Sequence, residues 1–229
     1  MSGVAIVTGG GRNLGRSIVL ALARSGFDVV VNTRSDVEAA DKVAAEARAL
    51  GVHAAVAVAD VTKPEQVRQM VEVADGLGPV RVLVNNAAAR TRVPVYDVTA
   101  QDWESVRSVT LDGAMHCVIA ALPRLRRNGG SIVTIIGGNA LRGDAGRFHV
   151  SAAKHGLVGM TKALAAGCAA DHINVNAVSP SRMDPDADTP DVEAEAERRR
   201  DTVADTVAFL ASPGAADVTG QLIEVGTQR

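Results

Sequence analysis

The stretch Val4-Ala5-Ile6-Val7-Thr8-Gly9-Gly10-Gly11-Arg12-Asn13-Leu14-Gly15 decides how the chain is read. A short β-branched run ends in a glycine-rich turn, and residues Leu14 to Ser25 then carry helical periodicity, with Ile18, Leu22 and Ser25 on one face. A strand feeding such a turn lets the backbone approach a pyrophosphate. The helix that follows offers unpaired N–H groups at the positive end of its dipole. Thr8, Gly9, Gly11, Arg12, Asn13, Leu14 and Gly15 are therefore candidate contacts for a dinucleotide.

The same alternation recurs outward from this point. Strand-like runs fall at Val4–Val7, Asp28–Asn32, His53–Ala59, Val80–Val84, Ser131–Ile136, Ile173–Val178 and Gln221–Val225. Helical segments lie between them at about Leu14–Ser25, Val37–Leu50, Pro64–Ala74, Ala100–Arg126, Val150–Ala169 and Asp201–Ala211. This pattern predicts an α/β chain with one doubly wound parallel sheet of about seven strands, each covered on both faces. A length of 229 residues suits a single domain, 1–229, around one core. Aromatic residues are only 2% of the chain, so that core is built from small and β-branched side chains, which lets helices lie close on the sheet.

Twenty-four basic and 26 acidic residues leave a formal charge of −2, which excludes a nucleic-acid binder that works by neutralising phosphates. No apolar stretch approaches the ~20 residues needed to span a bilayer, and no basic segment precedes the first apolar run. The expectation is a cytoplasmic protein without membrane contact. Cys117 and Cys168 stand apart with no CxxC pattern, which predicts buried thiols and no zinc or disulfide. His53, His116 and His172 are scattered and suggest no metal cluster or nucleophile triad.

The second strand runs into Asn32-Thr33-Arg34-Ser35, where a chain selecting NAD would carry an acid for the ribose 2′-hydroxyl. Thr33 does not repel a 2′-phosphate, and Arg34 can pair with one through its guanidinium fork. Arg12 adds a second cation, so NADP(H) is favoured over NAD(H). One shift in composition interrupts the alternation at 182–200, where prolines and acids precede Arg198-Arg199-Arg200. It reads as a short, acidic, lid-like surface excursion that ends in a helix.

Taken with later motifs, the chain resembles the short-chain dehydrogenase/reductase family from end to end, and within it the 3-oxoacyl-carrier-protein-reductase-like members. The glycine turn is similar to TGxxxGxG, with Asn13 at the middle glycine. Ala59-Asp60-Val61 resembles the segment holding the adenine-contacting aspartate, and Asn85-Asn86-Ala87-Ala88 resembles NNAG with Ala88 at the glycine. Ile173 to Ser181 resembles the segment ending in PG, with Pro180 kept, and Val218-Thr219-Gly220-Gln221 resembles the approach to the last strand. The resemblance implies a Rossmann-type fold, a nicotinamide cofactor touched also by Asp60, Val61, Asn86, Ala87, Lys154 and Pro180, and hydride transfer between a carbonyl and a hydroxyl. It also implies a homo-oligomer, a tetramer or dimer built through the two long helices, or a hetero-oligomer with an active relative.

Four residues carry the family's chemistry: a tyrosine that exchanges a proton with the substrate oxygen, a lysine four positions later, a serine that orients the substrate and an asparagine that anchors a water relay. Lys154 matches the lysine. Val150 stands at the tyrosine position, Gly137 at the serine and Thr110 at the asparagine. Reduction of a ketone makes an alkoxide that needs a placed proton donor, and loss of such a donor typically removes about 10²–10⁴-fold. Tyr96, the one tyrosine, lies far from that register. His149 is the chemically plausible substitute, because histidine titrates near neutrality. A step of one residue turns it by about 100°, however, which aims it away from Lys154 and suits a surface histidine at a helix start. Ser151 shares the face of Lys154 better but has no base. The implied function is thus nominally an NADP(H)-dependent oxidoreductase with ordinary ketone turnover weak or absent. The alternatives are a dinucleotide-binding regulatory or structural subunit without turnover, and non-redox chemistry in a reused pocket.

Overall fold

The computed structural model describes residues 3–180 and 190–226. Among these residues seven strands are present: β1 (Val4–Val7), β2 (Asp28–Thr33), β3 (Ala54–Val58), β4 (Val80–Asn85), β5 (Gly130–Ile135), β6 (Ile173–Pro180) and β7 (Leu222–Val225). All pair in parallel in the order β3-β2-β1-β4-β5-β6-β7. This is the doubly wound, Rossmann-type sheet that the alternation predicts, and the strand bounds move by at most two residues.

Among the described residues, eight α-helices lie between the strands: α1 (Asn13–Arg24), α2 (Val37–Ala49), α3 (Pro64–Asp75), α4 (Ala100–Arg107), α5 (Gly113–Asn128), α6 (Gly138–Arg142), α7 (Phe148–Cys168) and α8 (Pro190–Leu210). Side chains of a strand alternate between its two faces, so each strand feeds two cores. Val7, Val31 and Val84 pack with Ile18 and Leu22 of α1, Val43 of α2, and Val203 and Val207 of α8. Ile6, Val30 and Leu83, their neighbours in the chain, pack on the opposite face with Val71 of α3, Leu125 of α5 and Cys168 of α7. Cys117 and Cys168 are free and buried, and burial pushes the Cys117 thiol up to about 12.

Three helical expectations are corrected. The segment Ala100–Arg126 is not one regular α-helix, because a π-helical turn, Ser108–Asp112, separates α4 from α5. The helix expected at Val150 begins at Phe148, and the last one begins at Pro190 instead of Asp201. Of the excursion expected at 182–200, residues 182–189 lie outside the described residues, and 190–200 are already helix. Pro190 is the cause that the sequence offers, since proline suits a first helical turn. The charges beyond it then brace the helix at i, i+3 and i+4: Glu195 pairs with Arg198 at 2.6 Å and with Arg199 at 2.8 Å.

Strand order reverses between β1 and β4, so the loops leaving their carboxyl ends diverge and open a crevice. Among the described residues, no helix is long and apolar enough to cross a membrane.

Candidate active site

The crevice begins where β1 ends. Thr8 Oγ1 donates to the Val84 carbonyl at 3.2 Å and accepts from the Asn86 and Ala87 N–H groups at 2.9 and 3.0 Å. The Asn86 side chain donates back to the Thr8 and Gly9 carbonyls at 2.8 and 3.0 Å. These bonds tie the tips of β1 and β4 together. Asn32 does the same on the other side: its Oδ1 accepts from the Gly9 N–H at 3.2 Å, while its Nδ2 donates to Ala57 and Ala59 carbonyls of the β3 segment at 3.1 and 3.0 Å. A residue read only as the end of a strand therefore shapes the glycine turn.

The turn itself needs its composition at two places. Gly9 holds φ +62°, and a Cβ on Gly15 would fall 2.0 Å from the Gly9 carbonyl oxygen. Asn13 also sits at positive φ, +47°, where asparagine is the best tolerated side-chain-bearing residue. Its presence at the family's glycine position is thus compatible with the same backbone. Arg12 precedes α1, and no side chain caps the helix, so its first N–H groups are left to a ligand. A diphosphate fits this cradle.

Beyond the turn, a cavity of about 830 Å³ opens between the carboxyl ends of the strands. Gly9, Arg12, Asn13, Leu14 and Gly15 line one end. Asn86, Ala87, Ala88, Arg90 and Arg92 follow from β4, Gly137 and Gly138 from β5, Val150 and Lys154 from α7, and Pro180 from β6. Thr8 and Gly11 stand behind the turn, outside this lining. Thr33, Arg34, Asp60 and Val61 likewise lie outside it, beyond the ends of β2 and β3. Burial opposes ionisation of Asp60, but hydrogen bonds with Thr62, the Arg34 charge and Lys63 together hold its carboxyl below the usual value.

Lys154 is 3% exposed and donates from Nζ to the Ile135 carbonyl at 2.7 Å. Burial first, and the Arg90 charge second, push its amine down to about 7. Val150 packs against Val106 and Ala153 while facing the cavity, so an apolar side chain fills the wall where the resemblance places a proton donor. Gly137 holds φ +140°, with nothing near its absent Cβ. Thr110 lies in the π-helical turn, buried, accepting from the Ala89 N–H at 3.1 Å and donating to the Ala89 carbonyl at 3.3 Å.

His149 corrects the sequence expectation. It is no surface residue: only 2% is exposed, and Nε2 lies 3.0 Å from Thr91 Oγ1. Its ring meets Phe148 edge-on, and it does not line the cavity, as the helical step predicts. Tyr96 is 98% exposed and remote from Val150 in role. Sequence reading missed the cations of the cavity. Arg90, Arg92, Arg147 and Arg200 line it together with Arg12 and Lys154, against one carboxylate, Glu193, among the described residues. The available signal was Arg90-Thr91-Arg92 directly after the NNAG-like segment and Arg147 just before Val150.

Comparison with known proteins agrees with this geometry. The family described as short chain dehydrogenase matches residues 3–196. A 3-oxoacyl-acyl-carrier-protein reductase, FabG of Staphylococcus epidermidis, is 35% identical over 98% of this chain and 98% of its own length. A reductase of the same description from Synechocystis is also 35% identical, over 97% of this chain and 94% of its own. Among solved structures, acetoin dehydrogenase YohF of Salmonella typhimurium superposes with a TM-score of 0.89 at 33% identity, covering 98% of this chain and 94% of that one. Acetoin dehydrogenase of Enterobacter cloacae gives the same TM-score at 31% identity.

Proposed function

Because the chain belongs to the short-chain dehydrogenase family, whose membership implies a nicotinamide dinucleotide cofactor, we propose that it binds NADP(H) in this cleft and lacks the family's ordinary route for proton delivery. The carrying observation is Val150 on the cavity wall, one helical turn before Lys154, with no hydroxyl or acid in its place. In this reading Lys154 holds ribose hydroxyls. The glycine turn and the start of α1 receive the diphosphate, and Arg34 with Arg12 meets the 2′-phosphate. A bound nicotinamide supplies or accepts hydride at carbon; this chain offers the oxygen of a ketone no partner at Val150. Standard ketones are therefore expected to turn over weakly or not at all. The backbone at Gly137 favours a binding subunit as the second reading, since φ +140° is a conformation that a serine rarely adopts.

Titration of the protein with NADPH and NADH, followed by nucleotide fluorescence, tests the cofactor. NADPH should bind more tightly, and Arg34→Ala should remove most of that preference, by about tenfold. Equal affinity for both nucleotides in the unmodified chain, or binding of neither, overturns it.

A further inference from the structure

Resting on that cofactor reading, we propose that the end of the cleft away from the glycine turn binds an oxyanion, so that the small molecule placed beside Lys154 carries a carboxylate or phosphate group held by Arg147 and Arg90. Charge bookkeeping across the cavity supports this. Arg92 is matched by Asp144 at 2.7 Å, and Arg200 is matched by Glu193. Among the described residues, Arg90 and Arg147 have no carboxylate partner, and Lys154 donates to a neutral carbonyl. Among the described residues, two guanidinium groups thus stand uncompensated on the cavity wall.

Burial sharpens the point at Arg147. Its Nε is shielded from solvent and has no hydrogen-bond partner. Buried donors are almost always paired, and a charged one left unpaired is the costlier case. Arg147 also lines the cavity, where an oxyanion supplies the counter-charge that the partly buried guanidinium lacks, and a guanidinium presents its N–H groups in the fork that carboxylates and phosphates fit. The wall is also held in shape before any ligand arrives. The Val93 N–H donates to the Gly146 carbonyl at 2.9 Å, Thr91 meets His149 at 3.0 Å, and Arg92 meets Asp144. These three contacts fasten the segment after β4 to the start of α7, and so place Arg90 and Arg147 on a common rigid frame.

Different residues of the same cavity, Gly9 to Gly15, build the diphosphate cradle. A neutral, greasy substrate would have to leave these cations without counter-charge. A small acid neutralises them.

Calorimetric titration of the protein saturated with NADP⁺ tests the inference, with succinate, inorganic phosphate and neutral 1,4-butanediol as probes at matched ionic strength. At least one anion should bind and the diol should not; succinate or phosphate binding alone assigns the class. Arg147→Ala and Arg90→Ala should each weaken the anion by about tenfold or more, whereas Arg200→Ala, whose charge is already matched by Glu193 and which takes no part in the frame, should change it far less. Binding of neither anion, or undiminished binding to Arg147→Ala, overturns the site. If Arg147→Ala loses its fold by circular dichroism, Arg90→Ala, at an exposed side chain, decides in its place. If NADP⁺ itself fails to bind, the cofactor reading fails alone. The same titrations of the free protein then judge the anion site, because neither arginine belongs to the glycine turn.

Discussion

Lys154 turns its ammonium nitrogen onto the carbonyl oxygen of Ile135, 2.7 Å away, where burial and the Arg90 charge both act on it. A cation buried against a neutral acceptor is costly to keep charged, which is why its amine is pushed down to about 7.

The first expectation is a pH dependence of stability. In the unfolded chain the amine returns to its ordinary value of 10.5, so between pH 7 and 10.5 the unfolded state holds a proton that the native state has released. Stability therefore rises with pH across that window. Lys154→Met should flatten the rise, read as urea midpoints from about pH 6 to about pH 9. Near the upper limit the Cys117 thiol, pushed from 9.0 up to about 12 by burial, begins to add an opposite slope, which is common to both proteins and leaves their difference to Lys154. Parallel profiles for the two proteins would contradict the assignment.

Val150→Tyr should restore a proton donor. The new phenol would stand four residues before Lys154 on the cavity wall, and ketone reduction by NADPH is expected to rise by about 10²–10⁴-fold from a low base. The larger ring displaces packing with Val106 and Ala153, at a cost of about 1–3 kcal/mol. Adding Gly137→Ser should help little and lower the melting temperature further, because of the positive φ there. Absorbance of the reduced nicotinamide follows the rate; an unmodified chain already as fast as the variant would refute the proposal of a missing donor.

Asn13 gives a purely conformational test. At φ +47°, replacement by alanine is expected to cost about 1–2 kcal/mol, while glycine should be tolerated within about 0.5 kcal/mol. Thermal unfolding of the two variants checks the order. Alanine as stable as glycine would mean that the turn does not hold this backbone in solution.

Self-association through α4, α5 and α7 is expected from apolar side chains left outside: Ile119 is 63% exposed, Trp103 40% and Phe148 39%. Light scattering should find a dimer or tetramer, and Ile119→Glu should shift it toward the single chain. A native protein that is monomeric at all concentrations rejects this expectation.

The fold was readable because parallel strands announce themselves as short β-branched runs, and the runs at Val4, Asp28, Val80 and Ile173 fall within two residues of the observed strands. Helix α8 was read too short because its first turns carry a proline and acids, the usual marks of a loop; its support comes from pairs such as Glu195 with Arg198, which a composition reading blurs. The glycine turn was legible for a local reason, since its chemistry is contiguous. His149 and the arginines were not. Whether His149 is covered depends on Thr91, 58 positions away, and the convergence of Arg90 with Arg147 depends on the segment after β4 lying against the start of α7. Pairings of that range leave no periodic trace in the chain. Asn32 escaped notice for the same reason, because its partners come from the ends of two other strands, β1 and β3.

The wide turn at Ser108–Asp112 gives the rod formed by α4 and α5 one spare residue at the height of Thr110. Removing a single residue there would wind the rod regular, swing α4 around its axis by about a quarter turn and part the Thr110 hydroxyl from Ala89. The wall bearing Arg90 would then lose its tether from behind, so the shape of the cleft is set partly by a counting irregularity in a helix that never enters it.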